Sequence, residues 1–506
     1  MLRKLVAAAA AFLLVGAAPA GDPVGIAVRL TPTLGDHQSG RLLVFAKRVE
    51  PGAKPDESID TSPFEPKAVA IAGREVEDLR GGGTAIVDGE TGTFPTAFSA
   101  LPPGTYRVQA VLDRNHDYNY GGRGIGDLIS PVVEVSLPGP IPAIVLTKEI
   151  TPIPTTSVGQ PDLKLIDFVS PALSAFWGRP IHMRGWVALP PGYDAGGKFP
   201  TVYSTGGFGS NFDSAQSSAA RMTMLMKDGG APPMIWVYLD ESSPTGTHEF
   251  ADSVNNGPWG HALTEELIPA LEKQYRMDAV SKGRFLTGHS SGGWATLWLQ
   301  VRYPKVFGGT WPTSPDPSDF HDFTNVDLYA PNANMYAGAD GKPYPLVRDK
   351  GQVISSLQDF ARIEAVLGAY GGQFASFDWV FSPKGADGRP MPMFDRATGK
   401  VDPVVVAYWR DHYDIAFIIE RDWARLKPDL DGKIHLTVGT ADTFYLDGPA
   451  HRLQAVLDRL GAKSQFRFIP DKTHFDLLER GGDRQALMKD FAWEMYAVAR
   501  PGSKRP

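Results

Sequence analysis

The stretch Gly283-Arg-Phe-Leu-Thr-Gly-His-Ser-Ser-Gly-Gly-Trp294 decides the fold. Gly283 to Thr287 reads as a short buried strand, and Ser291 to Tyr303 has the apolar spacing of a helix. Between them, Gly288-His289-Ser290-Ser291-Gly292 is a G-x-S-x-G pattern. A sharp strand-to-helix turn holds its central serine in a strained backbone conformation, so that the hydroxyl projects from the carboxyl edge of a sheet. Glycines two places before and after keep side chains out of the crowded turn. Ser290 is therefore the candidate nucleophile. Ser291 does not fit, because His289 rather than glycine stands two places before it. The same letters suit a plain Gly/Ser turn at a helix start; the flanking strand and helix favour the nucleophile.

A serine hydroxyl attacks poorly unless a base takes its proton. In a fold of this kind the chain order is serine, acid, histidine, each on a loop after a strand. Strand Ile434 to Val438 is followed by Gly439-Thr-Ala-Asp442, and strand Phe466 to Ile469 by Pro470-Asp-Lys-Thr-His474. His474 is the candidate general base and Asp442 the residue that orients it, with Asp447 competing for the acid's place. His451, the other histidine after Asp442, falls inside an expected helix. An oxyanion hole needs inward-facing N–H groups. Ser291 supplies one, and Gly207 or Phe208, in the loop Thr205-Gly-Gly-Phe-Gly209 after strand Phe199 to Ser204, supplies the second. A phosphate cradle is the other use of such a loop, but no Gly-Lys-Ser/Thr follows it.

Around this core the chain divides by composition. Residues 21–150 carry short β-branched runs between Gly/Pro/Asp turns (Gly25 to Leu30, Arg41 to Val49, Tyr106 to Leu112, Pro131 to Leu137, Pro142 to Leu146), which predicts an antiparallel β-sandwich. A Pro/Thr-rich linker occupies 151–164. From 165 to 500, apolar runs alternate with amphipathic stretches, the signature of an α/β sheet with crossover helices. Helices are expected at Gly260 to Tyr275, Ser291 to Tyr303, Gly448 to Leu460 and Asp483 to Ala499. The segment about 320–430 is far longer than a crossover requires and predicts an inserted cap.

The stretch from Ala188 (ALPPGYDAGGKFPTVYSTGGFG), Phe250 to Arg276, GHSSGG and DKTHFDLL together resemble the putative-esterase family of α/β-hydrolases, which includes esterase D, enterochelin esterase and feruloyl esterase relatives. The resemblance covers roughly 185–315 and 433–500. It implies an α/β-hydrolase domain and a metal-independent serine esterase with Ser290, Asp442 and His474 as its triad. The family's oxyanion loop often begins His-Gly, whereas this chain has Thr205-Gly206. Trp259 matches an aromatic position near the family's active-site mouth and is a candidate substrate-binding residue; core packing would place a tryptophan there equally well.

Other observations bound the function. The chain has no cysteine, which excludes disulfides, thiolate metal sites and a cysteine nucleophile. Its formal charge of −7 argues against a nucleic-acid partner. Arg3 and Lys4, the apolar run Leu5 to Ala18 and the small residues Ala18-Pro-Ala20 predict a signal peptide at 1–20 and export to the periplasm or beyond; the rival is an uncleaved anchor. No later apolar run is long enough for a membrane anchor. Asp113, Asn115, Asp117 and Asn119 alternate like the start of a calcium loop, but Tyr118 and Gly124 stand where glycine and glutamate belong, which favours a polar turn. No cofactor or metal is expected. Phe374, Phe377, Trp379, Phe381, Tyr408, Trp409 and Tyr413 enrich the 320–430 segment in aromatics, which suits either a pocket for a bulky or aryl ester or a plain packed subdomain. The reading is an ester hydrolase acting through an acyl-enzyme on a small-molecule ester. Acyl transfer to another alcohol uses the same triad, and a non-catalytic binding protein would show a broken one. A partner for the front region is not specified by its sequence.

Overall fold

The apolar runs from residue 163 onward assemble into one sheet of eight strands: β1 (Leu163–Val169), β2 (His182–Ala188), β3 (Thr201–Thr205), β4 (Ile235–Leu239), β5 (Arg284–His289), β6 (Gly309–Thr313), β7 (Ile434–Gly439) and β8 (Ser464–Ile469). The computed structural model describes residues 24–52, 58–116, 118, 123–151, 161–370, 372–503 and 505. The expected signal segment 1–20 and most of the connector lie outside these. The strand order is β1-β2-β4-β3-β5-β6-β7-β8. β1 and β2 run antiparallel, and the pairs from β4 through β8 are parallel. A parallel strand covered on both faces must be apolar throughout, and all five residues of β4 are buried. Side chains alternate between the faces. Trp236 packs with Met222 and Phe491 on one side, while Ile235 and Val237 pack with Leu263 and Leu267 on the other.

The connections supply those covers. Helix α1 (Phe212–Lys227) begins in a capping box, with the Asn211 side chain accepting from Ser214 N–H and Ser214 Oγ accepting from Asn211 N–H. Helix α2 (Ser291–Arg302) follows β5 directly. The strand order reverses between β3 and β5, and the loops leaving both strands open into one crevice at their carboxyl ends, where α/β sheets bind ligands. That crevice holds the expected site.

The front region is β-rich. Strands Thr84–Asp88, Gly25–Leu30 and Ile144–Leu146 form one small sheet. Gln38–Arg48, Val69–Leu79 and Gly104–Asp113 form the middle of a larger one. Ile26, Val28, Leu42, Val44, Val108 and Leu112 meet in a common core. The expectation of wholly antiparallel pairing needs correction, because Gly25–Leu30 pairs with Ile144–Leu146 in parallel. Asp113 Oδ2 accepts the Tyr118 N–H at 3.0 Å, the bond of a polar turn. Asp117 and Asn119 lie outside the described residues.

Between β6 and β7 the chain builds a hairpin (Pro345–Asp349 with Gln352–Ser356), helices α3 (Leu357–Leu367) and α4 (Gln373–Phe381), and two further helices, Pro403–Tyr413 and Ile415–Leu430. Helix α3 does not stand alone. Its Ile363, Val366 and Leu367 share a core with Leu43, Phe45, Ile71 and Phe94 of the larger front sheet. The Arg41 guanidinium donates to Val366 O from Nε at 3.0 Å and Nη2 at 2.6 Å. Gly73 makes room for this contact, since a Cβ there would lie 2.8 Å from the same carbonyl. Among the described residues no helix is long and apolar enough to cross a membrane.

Candidate active site

The turn after β5 has the geometry its sequence demands. Ser290 sits at φ 59°, ψ −125°, in the region that non-glycine residues avoid. Its N–H donates to Thr313 O at 3.0 Å, and its carbonyl accepts from Trp294 and Asp316 at 3.0 and 3.2 Å, so the strained conformation is tied on both sides. A Cβ on Gly288 would come within 2.1 Å of Gly292 O, and one on Gly292 within 2.1 Å of Gly206 O. The glycines are therefore steric necessities of a tight turn pressed against the loop that leaves β3.

That loop lies beside the serine. A Cβ on Gly207 would sit 3.0 Å from Ser290 Cβ. Gly207, Phe208, Gly209 and Ser210 line a cavity of about 450 Å³ together with Ser290, His289 and His474. Among the described residues, no protein acceptor takes the N–H of Gly207 or Phe208. Ser291 opens helix α2, whose amino end adds partial positive charge beneath the serine.

The loops after β7 and β8 bring His474 and Asp442 together: His474 Nδ1 lies 3.0 Å from Asp442 Oδ2, and both side chains are buried. The second Asp442 oxygen accepts the Phe444 N–H at 2.9 Å. Burial pushes the Asp442 carboxyl up, but the neighbouring imidazole and these hydrogen bonds outweigh it and hold the group below the usual carboxylate range. Asp447, the competing acid, instead takes Arg348 Nη2 at 2.9 Å at the start of helix α5 (Asp447–Arg459). Arg348 Nε also donates to Asp442 O at 2.8 Å, which fixes the acid-bearing loop. His451 is in α5, its ring stacked on Phe468 at 3.7 Å. His289 faces His474 with ring centroids 4.3 Å apart. Burial first, then the neighbouring His474, pull its pKa down to about 3, so it stays uncharged.

Two features of the site are absent from the sequence reading. The first is Asp316, just past β6. Its Oδ2 accepts Ser291 Oγ–H at 2.6 Å, and its Oδ1 is the acceptor for the Ser290 hydroxyl at 3.5 Å, a place the His474 ring does not take here. Burial raises its pKa to about 6, partly offset by the Ser291 hydrogen bond. A carboxylate just beyond the carboxyl end of the strand next to the serine's own was the available signal. The second is Pro63-Phe64 of the front region, which lines the same cavity. The Phe64 ring lies 5.4 Å from Phe475 and 6.1 Å from Phe444, whose ring is edge-on to His474 at 4.9 Å. No local pattern marks this dipeptide.

The aromatics of the 320–430 segment divide. Phe374 and Phe377 line the cavity of Ser290, together with Phe323, Leu346 and Phe360. Phe381, Trp409 and Tyr413 are packed in the core beneath. Tyr408 is partly buried and stacks on His412 at 3.9 Å. Trp379 and Trp259 line a different, adjoining cavity, so Trp259 is not in the wall around Ser290. It is nearly buried and stacks face to face on His248 at 3.6 Å.

No curated protein matches the chain. Among solved structures it is similar to a ferulic acid esterase at 14% identity over 67% of this chain and 97% of that one, with a TM-score of 0.40. A CE1 ferulic acid esterase from Anaeromyces mucronatus, solved with ferulic acid, aligns at 17% identity over 66% and 91%, with a TM-score of 0.37. An S-formylglutathione hydrolase from Agrobacterium tumefaciens aligns at 14% over 66% and 95%, with a TM-score of 0.39. The sequence itself is more decisive, because the Putative esterase family model matches residues 177–475, a span that contains the Ser290 turn, the Thr205–Gly209 loop, Asp442 and His474. This chain belongs to the putative esterase family.

Proposed function

We propose that the protein is an exported serine carboxylic-ester hydrolase that works through an acyl-enzyme on a bulky or aryl ester. The observation that carries the reading is a positive-φ serine and a buried His474–Asp442 pair opening into one apolar cavity. Rotation about the Ser290 Cα–Cβ bond turns Oγ from Asp316 toward the imidazole, which takes its proton as Oγ attacks the ester carbonyl carbon. Asp442 keeps His474 in the useful tautomer and stabilises the imidazolium. The carbonyl oxygen becomes an oxyanion held by the N–H groups of Ser291 and of Gly207 or Phe208. Collapse of the tetrahedral adduct breaks the bond to the alcohol, which leaves with the proton from His474. Water, deprotonated by the same imidazole, then releases the acid and restores Ser290.

In this reading the segment 320–430 is a cap whose Phe374 and Phe377 confine the substrate, and the front region is a sandwich that contributes Phe64 to the pocket wall. The ring-lined walls of the cavity suit an aryl or bulky apolar group. An activated-serine phosphonate probe tests the mechanism. We expect a stoichiometric label on Ser290, lost in Ser290→Ala with the circular dichroism spectrum unchanged. Wild-type protein that stays unlabelled while folded would overturn the reading.

A further inference from the structure

A second cavity, of about 840 Å³, adjoins the first across Gly209 and Ser210, which line both. Three parts of the chain wall it: Arg123 from the front region, Arg184 of β2 with Arg179 and Trp259 from the sheet's connections, and Tyr370 and Trp379 from the segment between β6 and β7. Basic groups outnumber acids in its lining. Arg123 is matched by Asp60 at 3.1 Å, His116 by Glu75 at 2.9 Å, and His182 by Asp167. Asp240, the one acid in the lining, accepts from Ser242 N–H and Oγ–H at 2.9 and 2.6 Å and interacts electrostatically with Arg184. Arg179 forms no ion pair among the described residues, while Arg184 has the Asp240 charge nearby and lies over the Phe212 ring at 6.0 Å. The walls also offer flat rings, with Tyr370 and Trp379 stacked at 5.7 Å.

We propose that this second cavity is a binding subsite for the polar half of the substrate, an aromatic group bearing a carboxylate, with Arg179 on the charge, Arg184 beside it and the Tyr370/Trp379 wall against the ring. The inference rests on the ester-hydrolase reading, which supplies the bond joining this half to the apolar group beside Ser290. Guanidinium groups bind carboxylates through paired charge-assisted hydrogen bonds and also stack on rings, so one wall serves both features.

The test compares 4-carboxyphenyl benzoate with 4-carbamoylphenyl benzoate, a nearly isosteric pair of different charge state, each rate taken relative to the ester's own hydroxide-catalysed hydrolysis. We expect kcat/KM to favour the carboxylate by about tenfold, the factor one charge-assisted contact provides. In the double variant Arg179→Gln, Arg184→Gln the ratio of the two esters should fall toward one. Titration calorimetry on the intact chain gives a second reading: 4-hydroxybenzoate should bind more tightly than 4-hydroxybenzamide, and the double variant should lose the difference. A wild-type ratio near one, or a preference the double variant keeps, overturns the subsite. If wild-type protein fails even on 4-nitrophenyl acetate, the ester-hydrolase reading is what has failed, and the calorimetric comparison alone then decides the cavity.

Discussion

Asp316 places a second carboxyl group against the serine turn, beyond Asp442, which contacts His474. It accepts from Ser291 Oγ–H at 2.6 Å and is nearly buried in the cavity wall, with a pKa pushed up to about 6 by burial. The folded chain therefore holds this proton more tightly than the unfolded chain does. Linkage then requires stability to fall as pH rises from about 4 toward 6 and to level off above. Asparagine keeps the acceptor oxygen without the charge. We expect Asp316→Asn to melt higher than wild type at pH 8, by roughly 2 kcal/mol of stability, with the gain vanishing near pH 4; equal gains at both pH values would contradict the assignment. Ser290, Asp442 and His474 were legible because each follows a recognisable strand in a fixed chain order. Asp316 was not, because a single aspartate in a Pro-Asp-Pro turn has no periodicity to reveal it.

At the scale of elements, loops that share one crevice come from distant parts of the chain. Strands β3, β5, β7 and β8 were readable as apolar runs, and the helix after the serine turn matched its expected limits within a residue. Strand Val69–Leu79 went unread, since Gly73, Arg74, Glu75, Glu77 and Asp78 break its apolar pattern where it meets solvent and α3. Helix α1 was missed because its core face is small, made of Ala215, Ala219, Met222, Thr223 and Met226. The Pro63-Phe64 loop yields a test. Phe64 is 39% exposed, so removing its ring costs little in folding, yet it stands in the pocket wall. We expect Phe64→Ala to raise KM about fivefold for an aryl ester, as partial loss of aromatic burial implies, with much less change for an acetyl ester. Steady-state kinetics on 4-nitrophenyl benzoate and 4-nitrophenyl acetate measure both.

For the whole molecule, a composition change at 151–161 predicts two separable bodies, and the packing contradicts a simple division. Ile363, Val366 and Leu367 of α3 are nearly inaccessible and pack in one core with the front sheet. Deleting residues 24–150 bares this apolar face and strips Val366 O of its two guanidinium bonds. We expect the truncated chain to aggregate or to melt well below the full one, measured by size-exclusion chromatography and thermal scanning; a monodisperse, fully active truncation would refute this. Long-range joints of this kind leave no trace in local sequence, because their partners lie hundreds of residues apart.

The Arg41–Val366 joint bears on how such a protein can be reshuffled. Recombination between homologues at the proline-rich connector would divorce a front sheet from helix α3, whose apolar face is fitted to it. Viable chimaeras should therefore inherit the stretch around residues 357–367 from the same parent as residues 24–150, which makes two intervals far apart in the gene a single hereditary cassette.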